Sequence, residues 1–355
     1  METKKDTESR PSRSRPKPIN LALQGGGAHG AFTWGVLDRL LEDERITIEG
    51  ISGTSAGAMN AVALADGYQK NGCAGARQAL LSFWTAVSQA AWFSPFQRTP
   101  LDHLIGSWSL NTSPGYLMMD LLSRLASPYD LNPLNLNPLR DFLAQQIDFD
   151  SVRRCGEIKL FISASNVRTG RARIFQTSEL SADVVMASAC LPDLFQAVDI
   201  NGEPYWDGGY MGNPALHPLI YRCATRDILI VQINPIEALG TPKRAREIFD
   251  RLNEITFNSS LMAELRAIEF VTRLIDEGQL DPKRYKRMLI HRISGDSELK
   301  SLDASSKLNA EWAFLEELHE RGYRAADQWI AAHFDSIGRT STVDLRAMLV
   351  PHRPD

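Results

Sequence analysis

LALQGGGAHGAF (residues 21–32) and GISGTSAGAMN (residues 50–60) set two glycine-framed turns a short distance apart. The first ends a short apolar run with Gly25, Gly26 and Gly27, whose backbone N–H groups have no side chains in front of them. The second holds Ser55 between Gly53 and Gly57, the G-x-S-x-G spacing of a nucleophile elbow, where a serine stands on a sharp strand-to-helix turn. Bare N–H groups can hold an oxyanion, and a serine on an elbow can attack a carbonyl carbon. Together they read as acyl-transfer machinery that still lacks a base.

Outward from these turns, strand and helix alternate. Residues 20–25 read as a strand, and Phe32, Val36, Leu37, Leu40 and Leu41 recur at helical spacing from Ala28 to Glu42. ITIEGIS (46–52) reads as a second strand, and AGAMNAVALADGY as a helix stopped by Gly67. Strand, glycine loop, helix, strand, elbow, helix predicts the start of a parallel α/β sheet. Strands are also predicted at 158–167, 171–177 and 226–235, with a helix over 182–195 stopped before Pro192. A hairpin at 197–209, with Asn201-Gly202 at its tip, delivers Asp207 into a third glycine turn, Gly208-Gly209. Beyond residue 240 the pattern is mainly helical, over 244–277 and 308–334, with one short strand at 287–293.

Composition bounds the function. With 355 residues, 43% of them hydrophobic, and a net charge of −4, the chain reads as a globular protein with no bias toward nucleic acid. Cys73, Cys155, Cys190 and Cys223 are scattered, as reduced thiols in a cytoplasmic protein would be. No apolar run approaches the roughly 20 residues of a membrane-spanning helix. Residues 1–19 hold six basic and three acidic side chains and three prolines, without the apolar stretch of a secretory signal. They read as a disordered basic arm, either a solvated tail or a segment touching an anionic membrane surface. The segment 93–140 mixes proline and asparagine with large apolar residues. It fits a cover over an apolar pocket or an irregular surface connection, and its Leu117, Met118 and Met119 suit a greasy ligand or a core equally.

Each turn alone is weak. GGGAHG (25–30) also fits the G-x-G-x-x-G of a dinucleotide loop, with Glu49 near the place of its acidic residue, but such a fold calls for no serine elbow directly afterwards. In an α/β-hydrolase the elbow follows several strands and the triad runs serine, acid, histidine. Here the elbow comes after two predicted strands, with the glycine run ahead of it and YWDGGYMGNPAL (205–216) behind. In that order the motifs resemble the patatin-like phospholipase family, and the likeness extends through SASNVRTGRARIF (163–175) and ASACLPDLFQAVDINGEPYWDGG (187–209).

The resemblance implies an α/β three-layer sandwich with a mostly parallel central sheet and helices on both faces, plus a helical C-terminal region. It implies a Ser–Asp dyad: Ser55 as nucleophile and Asp207 as base, with Gly25, Gly26 and Gly27 as the oxyanion loop and the last two as donors. Ala28, His29, Gly30, Gly53, Gly57, Gly208 and Gly209 would support those turns. Relatives usually carry arginine or lysine where this chain has His29, so a permanent positive charge is missing from the loop. His217, the histidine close behind Asp207, is the candidate for a third catalytic member, and Asp193, Asp199 and Asp227 are carboxylates without a glycine frame. The expected activity is hydrolysis of lipid acyl esters, phospholipid or lysophospholipid, through an acyl-serine intermediate. An acyltransferase or thioesterase using the same step is the alternative. No cofactor and no metal are expected. The organisation implied is an arm over 1–19, a catalytic domain over 20–236 and a mainly helical extension over 237–355 packed on it.

Overall fold

The computed structural model of the chain describes residues 15–92, 94–238 and 240–349. Eight strands form one sheet: β1 (Lys17–Leu23), β2 (Ile46–Gly53), β3 (Lys159–Asn166), β4 (Arg171–Gln176), β5 (Val198–Ile200), β6 (Glu203–Asp207), β7 (Asp227–Gln232) and β8 (Leu289–Ser294). The order is β5-β6-β3-β2-β1-β7-β8, with β4 also paired to β3. From β3 to β8 the neighbours run parallel, whereas β4 and β6 lie antiparallel to β3. The first strand begins at Lys17, which pairs with Ile46, so the sheet takes up the last residues of the stretch read as an arm. Residues 1–14 of that stretch lie outside the described residues.

Helices cover both faces. α1 (Gly30–Glu42) and α2 (Ala56–Ala91) follow the first two strands. Next come α3 (Pro100–Leu104), α4 (Pro114–Leu125), α5 (Pro128–Leu131), α6 (Pro138–Gln146) and α7 (Phe149–Arg154). Then come α8 (Ala182–Ser188), α9 (His217–Arg222), α10 (Ala245–Asp276), α11 (Trp312–His333) and α12 (Leu345–Leu349). The period-2 alternation of the strands sorts the core into two clusters, as a sheet buried on both faces requires. Leu21, Leu23, Ile51, Ile162, Leu229 and Val231 pack with residues of α1, α2 and α11. On the other face, Ala22, Phe161, Ile228, Ile230 and Ile290 pack with residues of α9 and α10. Burying each such aliphatic side chain contributes about 1.5–3 kcal/mol. The architecture is the three-layer α/β sandwich expected.

Two predicted boundaries move. The helix after Ser55 does not stop at Gly67; it runs on to Ala91 with a kink where Asn71 and Gly72 leave helical φ/ψ. Gly67 is buried instead because the Gly75 carbonyl comes against it, leaving no room for a side chain. The predicted helix over 182–195 ends at Ser188, and the carbonyl of Cys190 turns to accept the backbone N–H of Asp207 at 2.8 Å. In the 93–140 stretch α4 buries no residue, so Leu117 and Met118 are exposed rather than core.

The C-terminal region is built into the fold. β8 extends the sheet beyond β7, and α11 lies along α1. The two helices approach to backbone contact: a side chain at Gly35 would run into the His319 carbonyl, and one at Gly322 into the Phe32 carbonyl.

Candidate active site

Strand register brings the two chemical groups to one level. Gly53, the last residue of β2, pairs with Ile162 of β3, and Ala164 two positions on pairs with Asp207 at the end of β6. The chain then turns sharply on both sides. Ser55 adopts φ 52°, ψ −121°, a left-handed conformation that serine rarely takes, and caps α2. The turn is held from outside. Ser55 N–H donates to Ser188 Oγ at 2.9 Å, Thr54 Oγ1–H to the Gly212 carbonyl at 2.6 Å, and Ser52 Oγ–H to the Ala215 carbonyl at 2.6 Å. The segment after Asp207 is thereby fastened to the elbow that carries Ser55.

Asp207 is 1% exposed. Its Oδ1 accepts the Gly209 N–H at 2.7 Å, and the Ser55 hydroxyl lies near enough to favour the charged form of the same carboxylate. Burial pushes its pKa up to about 7, against the opposing pull of those two groups. A carboxylate in this position is a far better base than one in water. Gly208 packs on the Ser163 carbonyl of β3, where a side chain would not fit.

The glycine loop lies across the serine. A Cβ on Gly25 would stand 2.7 Å from that of Ser55, and one on Gly30 would stand 2.7 Å from that of Ala56. Gly57 presses on the Leu23 and Gln24 carbonyls, and Gly53 in turn on Gly57. Gly27 has φ +58° and begins the short 3-10 turn Gly27–His29 that contains Ala28. The Gly25 N–H is spent on Asn213 Oδ1 at 2.7 Å. Among the described residues the Gly26 and Gly27 N–H groups enter no strand or turn bond, so they are free to donate. Both lie ahead of α1 and near the N-terminus of α2, whose dipoles favour negative charge there.

His29 is buried and neutral. Its Nε2 lies 2.8 Å from Ser306 Oγ, which itself donates to the Asp303 carbonyl, so Nε2 is the protonated nitrogen. Burial drives its pKa down to about 3, with Lys307 adding to the shift. The neighbouring cation is that lysine, whose Nζ donates to Asn234 Oδ1 at 2.9 Å. His217 pairs with Glu264 on α10, and His291 with Asp227, so neither is bound to Asp207. Asp199 caps its own hairpin through the Gly202 N–H at 2.8 Å. The open groove between α1, α2 and α11, lined by Trp34, Arg77, Trp312 and His319, contains neither Ser55 nor Asp207.

Several residues at the site escape the motif reading. Gln24 Oε1 accepts the Ile233 and Asn234 N–H groups, and its Nε2 donates to Asn258 Oδ1 at 3.1 Å. Asn234 Nδ2 donates to the Gly25 carbonyl at 2.7 Å. With Asn213 and Ser188 these side chains form the scaffold behind the turns, and all of them are buried. The available signal was a polar amide closing an otherwise apolar run, as in LALQ (21–24) and ILIVQIN (228–234).

A family model described as patatin-like phospholipase matches residues 21–220. Among solved structures, VipD from Legionella pneumophila is 16% identical, with 88% of this chain and 67% of that one covered and a TM-score of 0.39. Full-length ExoU in complex with SpcU, from the type III secretion system of Pseudomonas aeruginosa, is 15% identical, with 95% and 77% covered and a TM-score of 0.30. No curated protein matches the sequence.

Proposed function

The chain belongs to the patatin-like phospholipase family of lipid acyl hydrolases, and we propose that it cleaves lipid acyl esters with Ser55 as nucleophile and Asp207 as base. The observation that carries this assignment is a serine elbow beside a buried carboxylate, beneath a loop with unspent N–H groups. Asp207 takes the Oγ proton as Oγ attacks the ester carbonyl, and the Gly26 and Gly27 N–H groups hold the oxygen that becomes negative. Collapse expels the alcohol portion, to which Asp207 returns the proton. Water, deprotonated by Asp207, then attacks the acyl-Ser55 ester; fatty acid leaves and Ser55 regains its hydrogen.

This mechanism requires the ionised form of Asp207, whose pKa is about 7 in the free protein. We expect kcat/KM for fatty acid release to rise with pH and level off above a midpoint near 7. A profile already flat from pH 5 upward contradicts Asp207 as the base. Product analysis in the same assay, with an alcohol or thiol added, is expected to yield free fatty acid as the main product. Predominant transfer to the additive favours an acyltransferase, and release from a thioester in preference to an oxygen ester favours a thioesterase.

Lipid would reach the site across an apolar rim. Leu104, Leu121, Leu125, Leu134 and Leu136 are exposed, Leu104 by 84%. Their segment joins the site through Gln196, whose Nε2–H donates to the Asn132 carbonyl and whose own carbonyl accepts from Cys190 Sγ. On the other side Ile248, Phe249, Leu252 and Ile255 form an exposed stripe on α10, and Phe257 of the same helix packs against Gly209 and Tyr210. Apolar surface this extensive marks an interaction site. Among the described residues no helix is long and apolar enough to cross a membrane, so the contact proposed is peripheral. Replacing Leu121, Leu125 and Leu134 together by aspartate is expected to weaken phospholipid-vesicle binding by at least about tenfold, since each buried leucine is worth about 1.5–3 kcal/mol. Hydrolysis of a short soluble ester should stay within twofold. Unchanged vesicle co-sedimentation would remove this rim from the account.

A further inference from the structure

We propose that Lys307, from the C-terminal region, is a positioning residue that aims the Gly26 N–H at the oxyanion by locking the Asn234 amide against the Gly25 carbonyl. The inference rests on the proposed oxyanion loop and assigns its support to a residue far from every motif.

Asn234 is fully buried. Its Nδ2 faces two groups that only accept, the Gly25 carbonyl at 2.7 Å and Gln24 Oε1 at 3.3 Å. Its Oδ1 must therefore face the other way and needs a donor, which Lys307 Nζ supplies at 2.9 Å. Without that donor, a buried amide oxygen is left unpaired, and only the Nδ2 side still holds the amide in this orientation. The flipped state would turn Oδ1 on the Gly25 carbonyl and repel it.

That carbonyl matters because the peptide unit joining Gly25 to Gly26 is planar and trans, so its C=O and N–H point in opposite directions. Anchoring the Gly25 oxygen on Asn234 fixes the Gly26 N–H on the opposite side of the loop. The same C-terminal segment touches the loop twice more. The Lys307 carbonyl packs on Gly27 so closely that no side chain fits there, and Ser306 Oγ accepts from His29. The ammonium is desolvated, which lowers its pKa, while Glu254 and Asp250 of α10 act in the opposite sense.

The test is a kinetic cycle in the full-length chain on a soluble ester, with K307M, K307R, N234A and the double variant K307M/N234A. Wild-type turnover that disappears in S55A establishes the underlying activity separately; without it the proposed function itself fails. Given that activity, K307M is expected to lower kcat by about 10- to 100-fold with KM within twofold, and K307R to recover most of the loss. If Lys307 acts through Asn234, K307M/N234A is no slower than N234A alone. A K307M variant with kcat within twofold of wild type overturns the inference, as does a double variant whose losses multiply. Should K307M fail to fold, K307Q replaces it in the same cycle, with the same two outcomes deciding.

Discussion

Replacing Ser55 by alanine is expected to reduce fatty acid release by about 10⁴- to 10⁶-fold, the scale seen when the nucleophile of a serine hydrolase is removed. Alanine keeps the Cβ, so the φ of 52° at this position carries no new steric demand. The backbone bonds that hold the elbow, Ser55 N–H to Ser188 Oγ and Met59 N–H to the Ser55 carbonyl, do not involve the hydroxyl. The melting temperature should therefore stay close to wild type, and the loss is chemical. Residual activity above about 1% of wild type, well outside that range, would mean that another group attacks the ester.

The second large effect is at Asp207. Asparagine matches its shape and can still accept the Gly209 N–H, yet it cannot take a proton from Ser55. We expect D207N to lose about 10³- to 10⁴-fold in kcat, in line with losses at the acidic member of other serine hydrolase sites. S55A/D207N should be no slower than S55A, because the two groups act in one step. The stability effect has the opposite sign. Burial raises the carboxyl pKa from 3.8 to about 7, so the folded protein binds this proton more tightly than the unfolded chain does. The group's contribution to stability is complete below about pH 4 and is lost as pH rises through 7, where the buried carboxylate must ionise. D207N escapes that loss. Its melting temperature is expected to exceed that of wild type at pH 8, with the gap closing as the pH is lowered toward 5. Equal melting temperatures at pH 8 would show that Asp207 ionises at no energetic cost to the fold.

What the sequence made legible was local. A glycine turn declares itself in three to five residues, and Asn201-Gly202 declares a hairpin tip because both residues readily adopt the positive φ seen there, 57° and 82°. β7 could be read from DILIVQ because every residue of it is buried. Gly67 misled because a glycine needed for close packing looks the same in sequence as one that ends a helix. The scaffold behind the loop was hidden for a different reason. Gly25 and Asn213 are 188 positions apart, and Gly25 and Asn234 are 209 apart. Nothing near either asparagine distinguishes it from one that caps a surface turn. His29 was legible as a departure from the family pattern, but its burial was not. That depends on Ser306, which the fold delivers from the C-terminal region. Lys307 likewise reads as an ordinary solvated cation until the sheet, α11 and the segment before it are assembled around the loop.

The most direct measurement is peptide-level mass spectrometry of the intact chain after incubation with a fluorophosphonate, in parallel with S55A. The account predicts one phosphonyl adduct, on Ser55, appearing as ester hydrolysis is lost and absent from the variant. Full loss of activity with the adduct on another side chain, or continued hydrolysis with Ser55 fully modified, would contradict it.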